Sequence, residues 1–329
     1  MGNSLNTKKY YDEINIARGI AVLLVLLGHA FPDILSEGSN VLHKTICEIL
    51  YSFHMGCFFF LSGFVASGKI CRGDADIKNE FINKFKRLMV PYLFYSFITM
   101  GLKQVFSAFA NNRFEINEFW KIILGKNPNG GLWYLWTLFI IAIIFTALSK
   151  LKINYKVYIV LGIIFYALLY FIPDGFYSNL LKYFIFYAAG IGTAKEYDKI
   201  KPIMSDYIFA LVVLILFVVM LFINGVPYAV TGLLGTGIVM FLSIKVSSNS
   251  ENRVYKFLNE TGNFSYDIYL ISYFIQIPVR IVCYKILNLP YIIVVILMFM
   301  LGGIIPYFIC KYIIRKIPLA NKILLGNWK

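Results

Sequence analysis

Arg18 and His29 stand eleven residues apart inside an apolar run, residues 14–32. At 3.6 residues per turn that spacing returns to nearly the same helical face, and at 1.5 Å rise it separates the two by roughly 16 Å. One face of one helix would then carry a guanidinium near one end and an imidazole toward the other. A neutral imidazole can take a proton from a hydroxyl or act as a nucleophile. Ionisable groups inside a membrane segment are costly to bury and so point to function. The plainer alternative keeps both residues structural, with Arg18 snorkelling to the headgroups and His29 closing the helix end.

Four further groups could take part. His54 opens the stretch FHMGCFFFLSGF, where it could orient His29 or a substrate. Around it, Ser52, Gly56, Gly63 and Ser67 form a stripe of small residues that lets another helix approach closely. Lys84, Lys86 and Arg87 lie just before Pro91 and suit an anionic nucleotide donor, although cationic cytoplasmic loops are also the rule in membrane proteins. Trp133 and Tyr134 offer aromatic faces either to a carbohydrate or to the membrane interface. Asp267 could pair with Arg18 or a loop cation, or simply favour a helix start.

These residues need elements to position them. The chain has 329 residues, of which 59% are hydrophobic and only 15% charged, and its mean hydropathy is +0.72. A soluble domain of this length would carry more charge, so the composition predicts an all-α integral membrane protein. The net charge of +14 then reads as membrane orientation and not as nucleic-acid binding. Five scattered cysteines show no CxxC pair and no ligand spacing with histidine, so neither a disulfide framework nor a metal site is expected. The first apolar run holds Arg18 and lacks a small-residue cleavage pattern, which makes it a retained span.

Ten spans are expected, at about 14–32, 47–68, 91–109, 132–149, 154–172, 180–194, 205–223, 227–245, 264–284 and 290–314. Residues 110–131 form the longest connection, with a short interfacial helix that NPNGG breaks. An even count puts both termini on one side. Most of the 31 lysines and arginines fall inside if that side is the cytoplasm. Arg18 and the basic loop 69–87 then face the cytoplasm, while His29 and His54 sit in the outer half. The whole of 1–329 reads as a single membrane domain with no fused soluble domain.

The sequence resembles the membrane-bound acyltransferase 3 family of bacterial O-acyltransferases, in particular the branch related to fucose 4-O-acetylases. The resemblance rests on Arg18-Gly19-Ile20-Ala21 followed by His29, on Ser52-Phe53-His54-Met55 with Phe58-Phe59-Phe60-Leu61-Ser62-Gly63-Phe64, and on the basic loop before Pro91. Leu132-Trp133-Tyr134-Leu135 and Ser265-Tyr266-Asp267-Ile268-Tyr269-Leu270 complete it. Two positions depart from the family pattern. Ser272 stands where the last motif often has a histidine, and Lys84 stands for one of two paired arginines, with Pro91 four residues after Arg87 in place of three.

The resemblance implies transfer of an acyl group, usually acetyl from acetyl-CoA, to an outward-facing sugar hydroxyl. A bacterial cytoplasmic, multi-pass membrane protein is implied with it, working among lipids on an envelope glycan or a lipid-linked sugar. His29 would then deprotonate the acceptor or relay the acetyl group as an acyl-imidazole, with His54 nearby. Arg18, Lys84, Lys86 and Arg87 would hold the donor, and Trp133 and Tyr134 the sugar. A transporter or flippase of a lipid-linked sugar, without acyl-transfer chemistry, is the competing class.

Overall fold

The computed structural model describes residues 11–31, 41–105, 116–173, 175 and 177–328. The polar N-terminal stretch with Lys8 and Lys9, the loop with Asp33 and Glu37, the end of the third expected span and the start of the long connection lie outside those residues. Among the described residues every regular element is helical. In chain order these are α1 (Asp12–Gly28), α2 (Val41–Tyr51), α3 (His54–Arg72), α4 (Ile77–Lys84) and α5 (Val90–Val105). Next come α6 (Trp133–Ser149), α7 (Tyr155–Leu168), α8 (Ser178–Lys195), α9 (Tyr197–Met204) and α10 (Tyr207–Phe222). The last four are α11 (Tyr228–Ser247), α12 (Arg253–Val279), α13 (Tyr291–Tyr312) and α14 (Pro318–Leu325).

The described parts of the expected spans are largely helical, the second of them divided between α2 and α3. By length and composition five segments can cross a membrane: His43–Arg72, Gly130–Ser149, Tyr228–Ser247, Arg253–Ile286 and Tyr291–Lys316. A sixth is reached if α9 and α10, bent by 78° at their junction, count as one. Of the other helices α8, with 18 residues, is long enough but less apolar, and the rest are shorter. The 17 residues of α1 rise about 25 Å against the roughly 30 Å of a hydrocarbon core. This helix ends at Gly28, with His29 as its C-cap, and not at residue 32. Pro32 rules out a regular continuation, because it has no N–H for Gly28 O, which accepts from Tyr51 Oη instead.

Burial follows from composition. Ile16, Ala17, Ala21 and Val22 of α1 are completely buried, and this central helix packs against α2, α3, α11, α12 and α13. By contrast α10 buries only Val213 and Phe217, while its Ile208 is 75% and its Phe222 85% exposed. A helix that is apolar all round yet exposed is facing lipid.

Two crossings bring backbones into contact. A Cβ on Gly262 of α12 would lie 2.0 Å from the Asn15 carbonyl oxygen, and one on Gly19 would lie 2.3 Å from that of Leu258. Between α3 and α8, a Cβ on Gly63 would meet the Tyr187 carbonyl at 2.1 Å, and one on Gly190 that of Phe60 at 2.0 Å. Glycine is required at such approaches. The small-residue stripe around His54 therefore does serve helix packing. Asn15 ties the first crossing further, its Nδ2 donating to Asn259 O at 2.8 Å and to Asn263 Oδ1 at 3.1 Å.

The second expected span is not one regular helix. It breaks at Ser52-Phe53, where Phe53 has φ −147° and ψ −27°. The break frees backbone groups that α11 satisfies: Tyr228 Oη accepts from Gly56 N at 3.1 Å, and Thr231 Oγ1 donates to Ser52 O at 3.1 Å. Ahead of α5 the chain forms a π segment, Phe85–Met89, in which Val90 N–H bonds to Phe85 O, five residues back. In the long connection the described part is a 3-10 turn, Ile116–Ile122. It is pinned to α5 and α6 by Tyr92 Oη donating to Ile122 O at 2.6 Å and Trp136 Nε1 to Ile123 O at 2.9 Å.

Candidate active site

The α1–α12 crossing sets Arg18, one residue from Gly19, against the α12 wall. There two cavities adjoin, of about 920 and 350 Å³. Both are lined by Asn15, Arg18, Ser62, Val65, Lys84 and Tyr187. The larger continues to Lys69, Arg72, Glu80 and Lys195. The smaller continues past Arg87, Tyr266 and Tyr269 to Met55, Phe58 and Tyr134. Arg18, Lys84 and Arg87, which sequence placed on one side of the membrane, thus meet around one space.

The cations there are held in place. Lys84 is the last residue of α4 and half-buried. Its ammonium is pushed below the usual lysine range, chiefly by burial, with Glu80 opposing and the charges of Lys69, Arg18 and Arg87 adding to the fall. Arg87 is clamped at both ends. Its Nη1 donates to Leu325 O at 2.6 Å, and its guanidinium lies 4.1 Å from the Tyr266 ring centroid. Its own carbonyl accepts from Tyr266 Oη at 2.6 Å. That carbonyl is available because Pro91 has no N–H to offer it.

Lys86 does not join this group. It points to the C-terminal segment, its Nζ 5.2 Å from the centre of the Trp328 ring, because neighbouring residues on a helix face different ways. The outer sugar site expected at Trp133 and Tyr134 also divides. Trp133 packs on Tyr183 and Phe59, with ring centres 5.1 and 6.2 Å apart. Tyr134 faces the smaller cavity, with its hydroxyl 3.4 Å from Ser62 Oγ. Asp267 is 1% exposed, and its partner is Arg315 of the segment after α13, at 2.7 Å, and not Arg18.

The histidines form a second group, at the other end of α1. His54 is 4% exposed and is the first residue of α3. In an unbroken helix its N–H would bond to Leu50 O; at the break that carbonyl accepts instead from Phe53 N at 3.3 Å and lies 2.6 Å from His54 Nδ1. A carbonyl only accepts, so Nδ1 carries the proton and Nε2 of the neutral ring is left as a base. The Tyr51 ring lies between the two histidines, 5.3 Å from His54 and 6.2 Å from His29. Tyr51 Oη donates to Gly28 O at 2.7 Å, fixing the end of α1 from which the exposed His29 projects. Neither histidine lines the cavities, but Met55 does, and His54 is the residue before it.

Sequence reasoning missed Asn15, Ser62, Tyr187, Tyr266 and Tyr269 as wall residues. Tyr266 and Tyr269 lie in a quoted motif, three apart and hence on one helical face, which was the available signal. Nothing in the sequence announced the docking of the C-terminal segment on Arg87.

Residues 11–311 match the acyltransferase 3 family, described as an acyltransferase domain. The nodulation protein NolL of Mesorhizobium japonicum is 25% identical over 138 residues, 41% of this chain and 35% of the relative. NolL of Sinorhizobium fredii is 26% identical over 148 residues, 42% of this chain and 37% of the relative. Each match spans little more than a third of the relative's length. No solved structure matches the chain. The family match, unlike these partial ones, takes in α1 with Arg18 and His29, the basic loop and the α12 motif together, and on that extent the chain belongs to the acyltransferase 3 family.

Proposed function

We propose that the protein is a membrane O-acyltransferase that moves an acetyl group from cytoplasmic acetyl-CoA to a sugar hydroxyl at the outer end of α1. The observation that carries this is the pair of adjoining cavities. They run from the cations Lys69, Arg72 and Lys195, past Arg18 and Lys84, to Met55, which adjoins His54. A long, thin donor could be anchored by its phosphates at one end and bring its thioester to the level of the histidines. His29 would take the acceptor's hydroxyl proton as that oxygen attacks the thioester carbonyl. The carbon–sulfur bond then breaks, and the departing thiolate takes the proton back from the imidazolium. His54 would orient this step, and the acceptor would be an envelope glycan or lipid-linked sugar. Purified protein in liposomes, given labelled acetyl-CoA and envelope glycan, should yield labelled glycan; movement of the sugar with no label attached would leave the transporter reading standing.

Two expected results follow. Arg18→Lys keeps the charge but loses the forked contact to phosphate, so it should weaken acetyl-CoA binding about tenfold by titration calorimetry in detergent. Normal binding by this variant would make Arg18 structural. The proposal also requires ten spans with both termini inside. Reporter fusions at Gly73 and Asn249 should then register the cytoplasm and a fusion at Asn127 the outside. A reversed result at Gly73 would separate the cation-lined cavity from cellular acetyl-CoA.

A further inference from the structure

Arg280 closes α12 as its C-cap, still in helical backbone at φ −59° and ψ −48°. It comes 18 residues after Gly262, which is five whole turns at about 3.6 residues each. It therefore stands on the face of α12 that meets α1 at Gly262. Tyr266 and Tyr269, on either side of that line, border the smaller cavity. The two helices run parallel. Asn15 Nδ2 donates to Asn259 O near one end, and Gln276 Nε2 donates to Leu26 O at 3.0 Å near the other. Arg280 is one turn beyond Gln276, and His29 a little under one turn beyond Leu26, so the two reach about the same depth. Their neighbours agree: Val279 packs in one apolar cluster with Ala30 and Phe31, the residues that follow His29.

Arg280 is half-buried, and its Nε is buried without a hydrogen-bond partner. None of the ion pairs among the described residues includes it. Arginine keeps its charge in any protein, and burying a charge without an anion is costly. A helix C-terminus favours a cation, but that leaves the guanidinium donors unused. A planar fork of donors suits an oxyanion, phosphate above all. The depth narrows the source of that phosphate. Arg280 belongs to the membrane-crossing segment Arg253–Ile286, and Val282 and Ile286 beside it are exposed. A phosphate arrives at that depth attached to a lipid. We infer that Arg280 binds the phosphate group of a polyprenyl-linked sugar and so presents the sugar to His29 at the same level. The inference rests on the acyl-transfer reading above and deepens it, choosing the lipid-linked sugar over a finished glycan as the acceptor. The prenyl chain lies along Val282 and Ile286, and the sugar extends toward α1.

The test uses the full chain in phosphatidylcholine nanodiscs with labelled polyprenyl diphosphate, which carries the anion and the chain without a sugar. Unlabelled diphosphate should displace the label at a concentration about tenfold below that of polyprenol, the same chain without the charge, as expected for one charge-assisted contact. Arg280→Gln should bind the diphosphate about tenfold more weakly and polyprenol as before, and Arg280→Lys, which keeps the charge and loses the fork, should fall between. If Arg280→Gln fails to insert, Arg280→Lys supplies the comparison. Equal displacement by the diphosphate and polyprenol in the wild type, or diphosphate binding unchanged in both variants, would overturn the site. Displacement by phosphatidylglycerol as readily as by unlabelled diphosphate would make it an ordinary headgroup contact and overturn the inference too. Acetyl transfer is scored apart, with labelled acetyl-CoA. Diphosphate binding without transfer to any glycan would overturn the parent reading and leave the Arg280 site standing.

Discussion

His29→Ala should insert and fold as the wild type does, bind acetyl-CoA with unchanged affinity, and lose acetyl transfer by a hundredfold or more. The side chain projects from the C-cap of α1 and is exposed, so its loss leaves no cavity and no unpaired carbonyl; Gly28 O keeps Tyr51 as its donor. Removing a positioned base costs on the order of 10²–10⁴ in rate. The measurement is single-turnover transfer beside donor titration on the same preparation. A well-inserted variant with near-normal transfer would move the base elsewhere, and His54 is where to look. His54→Asn places an amide nitrogen where Nδ1 donates to Leu50 O but supplies nothing at Nε2. It should keep the fold and lose transfer if His54 touches the reacting groups, and keep both if His54 only secures the break.

Gly262→Leu should be the most destabilising substitution at this site, costing more than about 3 kcal/mol, beyond the 1–3 kcal/mol usual for overpacking. The added Cβ alone would sit 2.0 Å from Asn15 O, against backbone that cannot rotate away. Separating α1 from α12 would also strip Asn15 of its bonds to Asn259 and Asn263 and move Arg18 off the cavity wall. Thermal unfolding in detergent should fall well below that of Gly101→Leu, a control at a position where a Cβ meets nothing within 4 Å. Equal stability of the two variants would mean that the helices do not approach as described.

How far the sequence reveals this site depends on the range of the interactions involved. Helical periodicity is local, so the all-helical character of the chain and the placing of Arg18 inside α1 are legible from spacing alone. Gathering of Lys84 and Arg87 near Arg18 is legible too, since charge bias puts them at one membrane face. The break at Ser52-Phe53 is not, because its reason lies in Tyr228 and Thr231 of α11, far along the chain. Nor is the side on which an aromatic lands: Trp133 and Tyr134 look equivalent as residue types, but consecutive positions on a helix diverge, and only Tyr134 reaches the cavity. Lys86 and Arg87 separate in the same way.

The broken helix also carries a history of assembly. Hydrocarbon tolerates unwound backbone only where protein covers it. For α2 and α3 that cover comes from α11, whose Tyr228 and Thr231 hold Gly56 N and Ser52 O. A ribosome makes α11 about 175 residues later. Until then the cheapest conformation for residues 43–72 in the bilayer is one uninterrupted helix, with His54 N–H bonded to Leu50 O in the ordinary way. Docking of α11 is what makes the break affordable, and at the break Leu50 O exchanges the His54 N–H for the Phe53 N–H and the imidazole. His54 would therefore acquire its working tautomer only once the bundle has closed, so that a half-built chain holds the residue without holding the base.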